Sequence, residues 1–140
     1  INTLRETKTK ANRQINAATM DYTYSFEKLE VWQKARQLVK VIYNLTRRYP
    51  EDERFGLVSQ MRRCAISIAS NLAEGTARKT MKDKAHFSTM AYGSSLELLN
   101  QLILSLDLEF IDESHYTTSR ALIEEVTNKL NSLRNSQLNS

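Results

Sequence analysis

Ser67, Asn71 and Glu74 stand at i, i+4 and i+7 of one predicted helix, and Ser94, Ser95 and Glu97 form a second polar group on the next. Helical spacing puts each set close to one face. If the two helices pack antiparallel, the groups meet, and the chemistry on offer is proton transfer with Glu74 or Glu97 as general base. No histidine, activated nucleophile or metal-ligand set accompanies them. The plain alternative is a satisfied hydrogen-bond network that fixes helix register, or a helix-end cluster at the turn by Gly75.

The second chemistry is anion binding. Arg62, Arg63, Arg78, Lys79, Lys82 and Lys84, with Arg47 and Arg48, are the densest positive groups in the chain. Lys and Arg hold phosphates without reading sequence, and no groove-reading motif or RNA-stacking signature is evident beside them. An ordinary solvated charged face is the alternative. The net charge of +4 is polarised: residues 53–84 carry seven basic and three acidic side chains, residues 85–140 three and seven. Such halves can complement each other across subunits or present a positive face to a polyanion.

Other chemistries are excluded by what is missing. A di-iron bundle needs Glu-x-x-His pairs, and neither His86 nor His115 has Glu three residues earlier. Zinc spacing, GxxxxGK[ST], GxSxG and HExxH are absent. No catalytic, cofactor-binding or metal-binding residue is therefore assigned, and the chain is expected not to be an enzyme. Cys64 is the only cysteine, so no intrachain disulfide forms, and its apolar helix makes it a small buried hydrophobe. No apolar run approaches the roughly 20 residues of a membrane span, and no signal-peptide pattern opens the chain. A cytoplasmic protein with no membrane partner is expected.

Four helices must position these groups. With 140 residues, 3 Gly and 1 Pro, the chain is one domain of few turns. Residues 1–24 lack an apolar stripe and read as a polar, basic extension; Met20, just before the periodic pattern, is a candidate native start. The first helix, 26–49, carries Trp32, Ala35, Val39, Ile42 and Thr46 as its stripe, widened by Leu38, Val41 and Leu45, with Ser25 as N-cap and Pro50 as its stop. The second, 53–77, has Val58, Met61, Ala65, Ile68 and Leu72, capped by Asp52 and stopped by Gly75 at positive φ. The third, 82–108, carries Phe87, Met90, Ser94, Leu98, Gln101 and Leu102. The fourth, 113–135, carries Ile123, Val126, Leu130 and Leu133, capped by Asp112 or Ser114. Short connections make neighbours antiparallel, so the fold class is all-α: an up-down-up-down four-helix bundle over 25–136, with a C-terminal tail 137–140. Extra apolar positions on the first and third helices, Leu38, Val41 and Leu45 on the one and Leu96, Leu99 and Ile103 on the other, exceed what a lone bundle buries and imply self-association.

FEKLEVWQKA from Phe26, YPEDERFGLVSQMRR from Tyr49, SIASNLAEG from Ser67 and AYGSSLEL from Ala91 occur in the order and spacing of the 23S rRNA intervening-sequence proteins, which this chain resembles over about 26–133. One departure is Ala69, where the family often has Pro after the Ser-Ile pair. The resemblance implies a small bundle, distantly similar to accessory proteins of diversity-generating retroelements, that assembles as a homopentamer and binds RNA or DNA through a basic surface. It supplies no catalytic residues. Three functions follow as expectations: a polyanion-binding homo-oligomer, a scaffold docking a partner protein through Leu38, Leu45 and Phe110, and an enzyme built on Ser67, Asn71, Glu74 and Glu97.

Overall fold

The computed structural model describes residues 22–140. The extension expected over 1–24 lies outside it up to residue 21, as does the candidate start at Met20. Helices α1 (Glu30–Thr46), α2 (Leu57–Thr76), α3 (Met81–Asp107) and α4 (Glu113–Leu138) follow one another, with 3-10 turns at Ser25–Lys28 and Glu51–Glu53. No strand occurs among the described residues. Each helix packs on its chain neighbours, and α1 closes the ring against α4.

Cross-helix pairs step in opposite directions along each pair of helices, which makes every neighbour antiparallel. Between α1 and α4, Lys129 meets Glu30 at 2.9 Å and Lys34 meets Glu125 at 3.4 Å. Between α3 and α4, the Ser88 hydroxyl donates to Gln137 at 2.7 Å, and Arg134 lies 4.5 Å from the Tyr92 ring. The expected up-down-up-down bundle is the observed one. No described helix is long and apolar enough to cross a membrane.

The helix boundaries differ from expectation for local reasons. Ser25 caps nothing: it begins the 3-10 turn, where Glu27 accepts from the Tyr24 backbone N–H at 2.8 Å, and α1 starts only at Glu30. It stops at Thr46, whose hydroxyl donates back to the Ile42 carbonyl at 2.7 Å. Asp52 is likewise not a cap, since 51–53 coil as 3-10 and Glu53 accepts the Leu57 N–H at 3.2 Å. Thr80 caps α3 by accepting from the Asp83 N–H at 3.1 Å. Asp112 caps α4 as expected, accepting from the His115 N–H at 2.7 Å. That helix runs to Leu138, into the expected tail, because the Ser88–Gln137 bond ties its last turn to α3.

Gly75 does not stop α2 by adopting positive φ; no glycine does so among the described residues. It is buried inside the helix, and a Cβ there would lie 2.9 Å from the Phe87 Cβ. Its role is close approach of α2 to α3. The positive φ belongs to Glu109 at 63°, where the Phe110 N–H reaches the Ser105 carbonyl at 2.9 Å and the Glu109 N–H the Leu106 carbonyl at 3.0 Å. That is a Schellman closure of α3 on a residue other than glycine.

The core is filled by Leu38, Ile42, Met61, Ile68, Leu98, Leu102, Ile123, Val126 and Leu130, all fully buried. Each contributes about 1.5–3 kcal/mol by leaving water. The stripes expected for α2 and α4 are these inward faces, with Leu133 half-buried at the margin. On α1 the face is rotated: Leu38 and Leu45 are central, whereas Trp32 and Val39 sit half-buried at its edge. The first half of α3 turns Ala85, Ser88, Ala91 and Ser95 inward, leaving Phe87 and Ser94 half-buried and Met90 exposed.

Candidate nucleic-acid interface

The expected polar cluster forms between α2 and α3 through its serines and Asn71. Ser67 and Ser94 hydroxyls meet at 3.0 Å between α2 and α3, and the Asn71 amide donates to the Ser67 hydroxyl and carbonyl at 3.0 and 2.9 Å. Ser95 donates to its own helix at the Tyr92 carbonyl. Glu74 leaves the group to accept from Arg78 at 2.8 Å. These are bonds of a register lock, and no carboxylate is directed at the two serines. Cys64 is buried beside Glu97, and burial first, then that carboxylate, pushes its thiol up to about 11. No three His, Cys, Asp or Glu side chains gather as a metal set among the described residues.

The basic residues divide between the two ends of the bundle. Arg62 and Arg78 are sixteen positions apart on the α2 side, about 24 Å at 1.5 Å per residue. At the far end, around the α2–α3 turn, Arg78 is paired to Glu74 and lies 4.4 Å from the Phe87 ring. Lys79 and Lys82 are exposed, and Lys84 is half-buried in a cleft with Asn71 and Gln137.

At the near end, the α1–α2 corner, the residues again part. Arg48 turns toward α4 and donates to His115 Nε2 at 3.0 Å, while His115 Nδ1 meets Asp112 at 2.8 Å. Because guanidinium only donates, Arg48 is the donor of this contact. The His115 backbone N–H first, then its ring, holds the Asp112 carboxyl below the usual range. Arg62 is half-buried across the helices: its Nε donates to the Thr46 hydroxyl at 3.0 Å and its guanidinium lies 4.5 Å from the Tyr43 ring. It cements α1 to α2.

Arg47 and Arg63 stay exposed on this corner and make no ion pair within 4 Å of a described carboxylate. Two adjoining grooves share Tyr43 there. One, of about 470 Å³, is lined by Arg54, Phe55, Arg62, Arg63 and Ile66 among others; the second, of about 380 Å³, by Lys40 and Arg47. No Asp or Glu lines either groove. The one ion pair near them, Arg54 to Glu51, is long at 3.7 Å and exposed.

Sequence reasoning missed Lys40, Tyr43, Arg54 and Phe55. A signal existed: Lys40, Tyr43 and Arg47 share a face of α1 at i, i+3 and i+7, and Phe55 stands between Arg54 and Gly56, outside any apolar stripe.

The profile of the family described as 23S rRNA-intervening sequence protein matches residues 27–132. A crystal structure of a protein with unknown function from the S23 ribosomal protein family of Bacteroides thetaiotaomicron VPI-5482 is similar at a TM-score of 0.70 and 22% identity, covering 75% of this chain and 95% of that one. At that identity the likeness speaks to the bundle alone. No curated protein matches the chain. The family match spans all four helices, and the chain belongs to the 23S rRNA-intervening sequence protein family.

Proposed function

We propose that this protein is a non-enzymatic, self-associating bundle that binds RNA through the α1–α2 corner. The observation that carries the reading is the pair of adjoining grooves lined by Lys40, Arg47, Arg54, Arg62 and Arg63 with no carboxylate. Such a surface gathers phosphates, releases counterions and reads no sequence by itself. The family name ties its members to intervening sequences of 23S rRNA, so RNA is the first polyanion to test. The decisive measurement is a titration of a labelled structured RNA at several salt concentrations. Affinity is expected to fall steeply as salt rises; absence of binding at low salt overturns the reading.

Self-association is favoured by a separate observation. Leu96, Ile103 and Leu104 are exposed on α3, and Leu108 just past its end. The positions expected to dock a partner protein, Leu38 and Leu45, are instead buried, and Phe110 packs on Tyr49 at 5.4 Å between ring centroids. A second copy covering α3 predicts that I103K lowers the mass read by light scattering. A protein that stays monomeric at micromolar concentration removes this part of the proposal.

A further inference from the structure

Phe55 is 88% exposed, more than any other large apolar side chain among the described residues. It sits in the turn before α2, outside the core, with the Arg54 guanidinium 5.5 Å from its ring centroid. The ring borders the groove that also holds Tyr43, Arg62, Arg63 and Ile66. An apolar wall, a presented aromatic face and three guanidinium groups thus share one open space of about 470 Å³ with no carboxylate.

Resting on the RNA-binding reading, we infer that this groove takes an unpaired nucleobase from a single-stranded segment, stacked on Phe55 with its flanking phosphates on Arg54 and Arg63. Phosphate binding alone needs no exposed aromatic, and a cation cluster alone would serve duplex and single strand alike. Stacking distinguishes them: in a duplex each base face is covered by its neighbours, and the deep, narrow major groove of RNA does not admit side chains. An unpaired base offers a free π-face of any sequence, and aromatic platforms among cations are the general means of holding single strands. Arg62 prepares the floor of the site, since its hydrogen bond to Thr46 and its place over Tyr43 fix its guanidinium before any ligand arrives. Arg47 and Lys40, in the adjoining groove across Tyr43, extend the phosphate track along α1.

The test titrates the full chain against a labelled twelve-nucleotide uridine strand and a twelve-base-pair RNA duplex at equal salt. The single strand is expected to bind more tightly. F55A is expected to weaken single-strand binding about tenfold, in the range for loss of a stacking aromatic, with the duplex affinity and both salt slopes unchanged; F55W is expected to restore it. Because Phe55 lies outside the core, circular dichroism melting of F55A should match the parent. Equal binding of both RNAs, unmoved by F55A, overturns the stacking inference and leaves the electrostatic reading standing. No binding of either RNA at low salt overturns both. A change in light-scattering mass for F55A with single-strand binding intact assigns the ring to a contact between copies and overturns the inference.

Discussion

The two basic ends of the bundle look alike in sequence and differ in space. The far end concentrates Arg78, Lys79, Lys82 and Lys84 within seven residues, yet Glu74 neutralises Arg78, Asp83 stands among the lysines and Lys84 leans into a cleft. The near end draws Lys40, Arg47, Arg54 and Arg63 from two helices and a turn; of these Arg54 alone is paired, to Glu51 at 3.7 Å, and no acid lines the two grooves. Charge density along a chain therefore does not measure charge presented on a surface. Helix geometry decides which cations converge and which are paid off by neighbours at i+4.

The largest expected effect breaks this comparison directly. Replacing Lys40, Arg47 and Arg63 together by Gln removes three phosphate contacts, each worth about 0.7 in the slope of log K against log salt for a single strand. Affinity at 0.1 M salt is expected to drop about a hundredfold and the slope to fall by about 2. The matching replacement of Lys79, Lys82 and Lys84 is expected to change affinity by less than about threefold. Equal losses from the two triples would mean that the ends act together, as they would if assembly brought different subunits side by side.

Two glycines contrast a close approach with an open surface: Gly75 is buried at the far end, and Gly93 is exposed midway along α3. Gly75 packs on Phe87 below the far turn, whereas a Cβ at Gly93 meets nothing within 4 Å. Gly75→Ala gains about 1 kcal/mol of helix propensity but forces an overpacked contact of about 1–3 kcal/mol, for a net loss of about 1. Gly93→Ala gains the propensity alone and is expected to stabilise by about 1 kcal/mol. Thermal melting of the two variants should move in opposite directions.

Adjacent arginines at the near end sharpen the contrast between holding the fold and holding a ligand. Arg62→Ala removes the hydrogen bond to Thr46 and the contact with Tyr43, at an expected cost of about 1–2 kcal/mol in denaturant unfolding. Arg63→Ala, exposed and without an ion pair, is expected to stay within about 0.5 kcal/mol in the same experiment while weakening RNA binding. If both destabilise equally, Arg63 is a structural residue too.

The four helices, their order and their antiparallel sense were legible because 3.6-residue periodicity, Pro50 and short connections all agree. The face of α3 was not. A hydrophobic pattern weights large residues, so Phe87 and Met90 drew the stripe, whereas the buried face of this half of α3 carries the small Ala85, Ser88, Ala91 and Ser95, with Ser88 bonded to Gln137 of α4. Gly75 was misread for the same reason: glycine marks a stop by habit and a close approach by contact, and only the neighbour at Phe87 tells which. The polar serines and Asn71 were legible as a cluster, whereas the departure of Glu74 to Arg78 depends on a partner past the end of α2. Of the eight cations expected to bind, Arg47 and Arg63 line the two grooves of the α1–α2 corner without an ion pair to a described carboxylate. The packing role of Arg62, by contrast, was not legible, because its partners, Tyr43 and Thr46, lie on the other helix.

The smallest effect tests the far end alone. Glu74 holds Arg78 in an exposed i,i+4 pair, a class worth about 0.3–0.5 kcal/mol, so Glu74→Gln should scarcely move the melting temperature. It removes one negative charge and frees one guanidinium 4.4 Å from the Phe87 ring. If RNA touches this end, one added phosphate contact raises affinity about fivefold at 0.1 M salt and steepens the salt slope by about 0.7. If binding is confined to the α1–α2 corner, some 24 Å away, both quantities stay put. The Debye length at that salt is about 10 Å, so a distant charge acting through solvent cannot imitate the contact. A fivefold gain would therefore place phosphate at Arg78 itself and turn the far end from a paired surface into a masked site that Glu74 keeps closed.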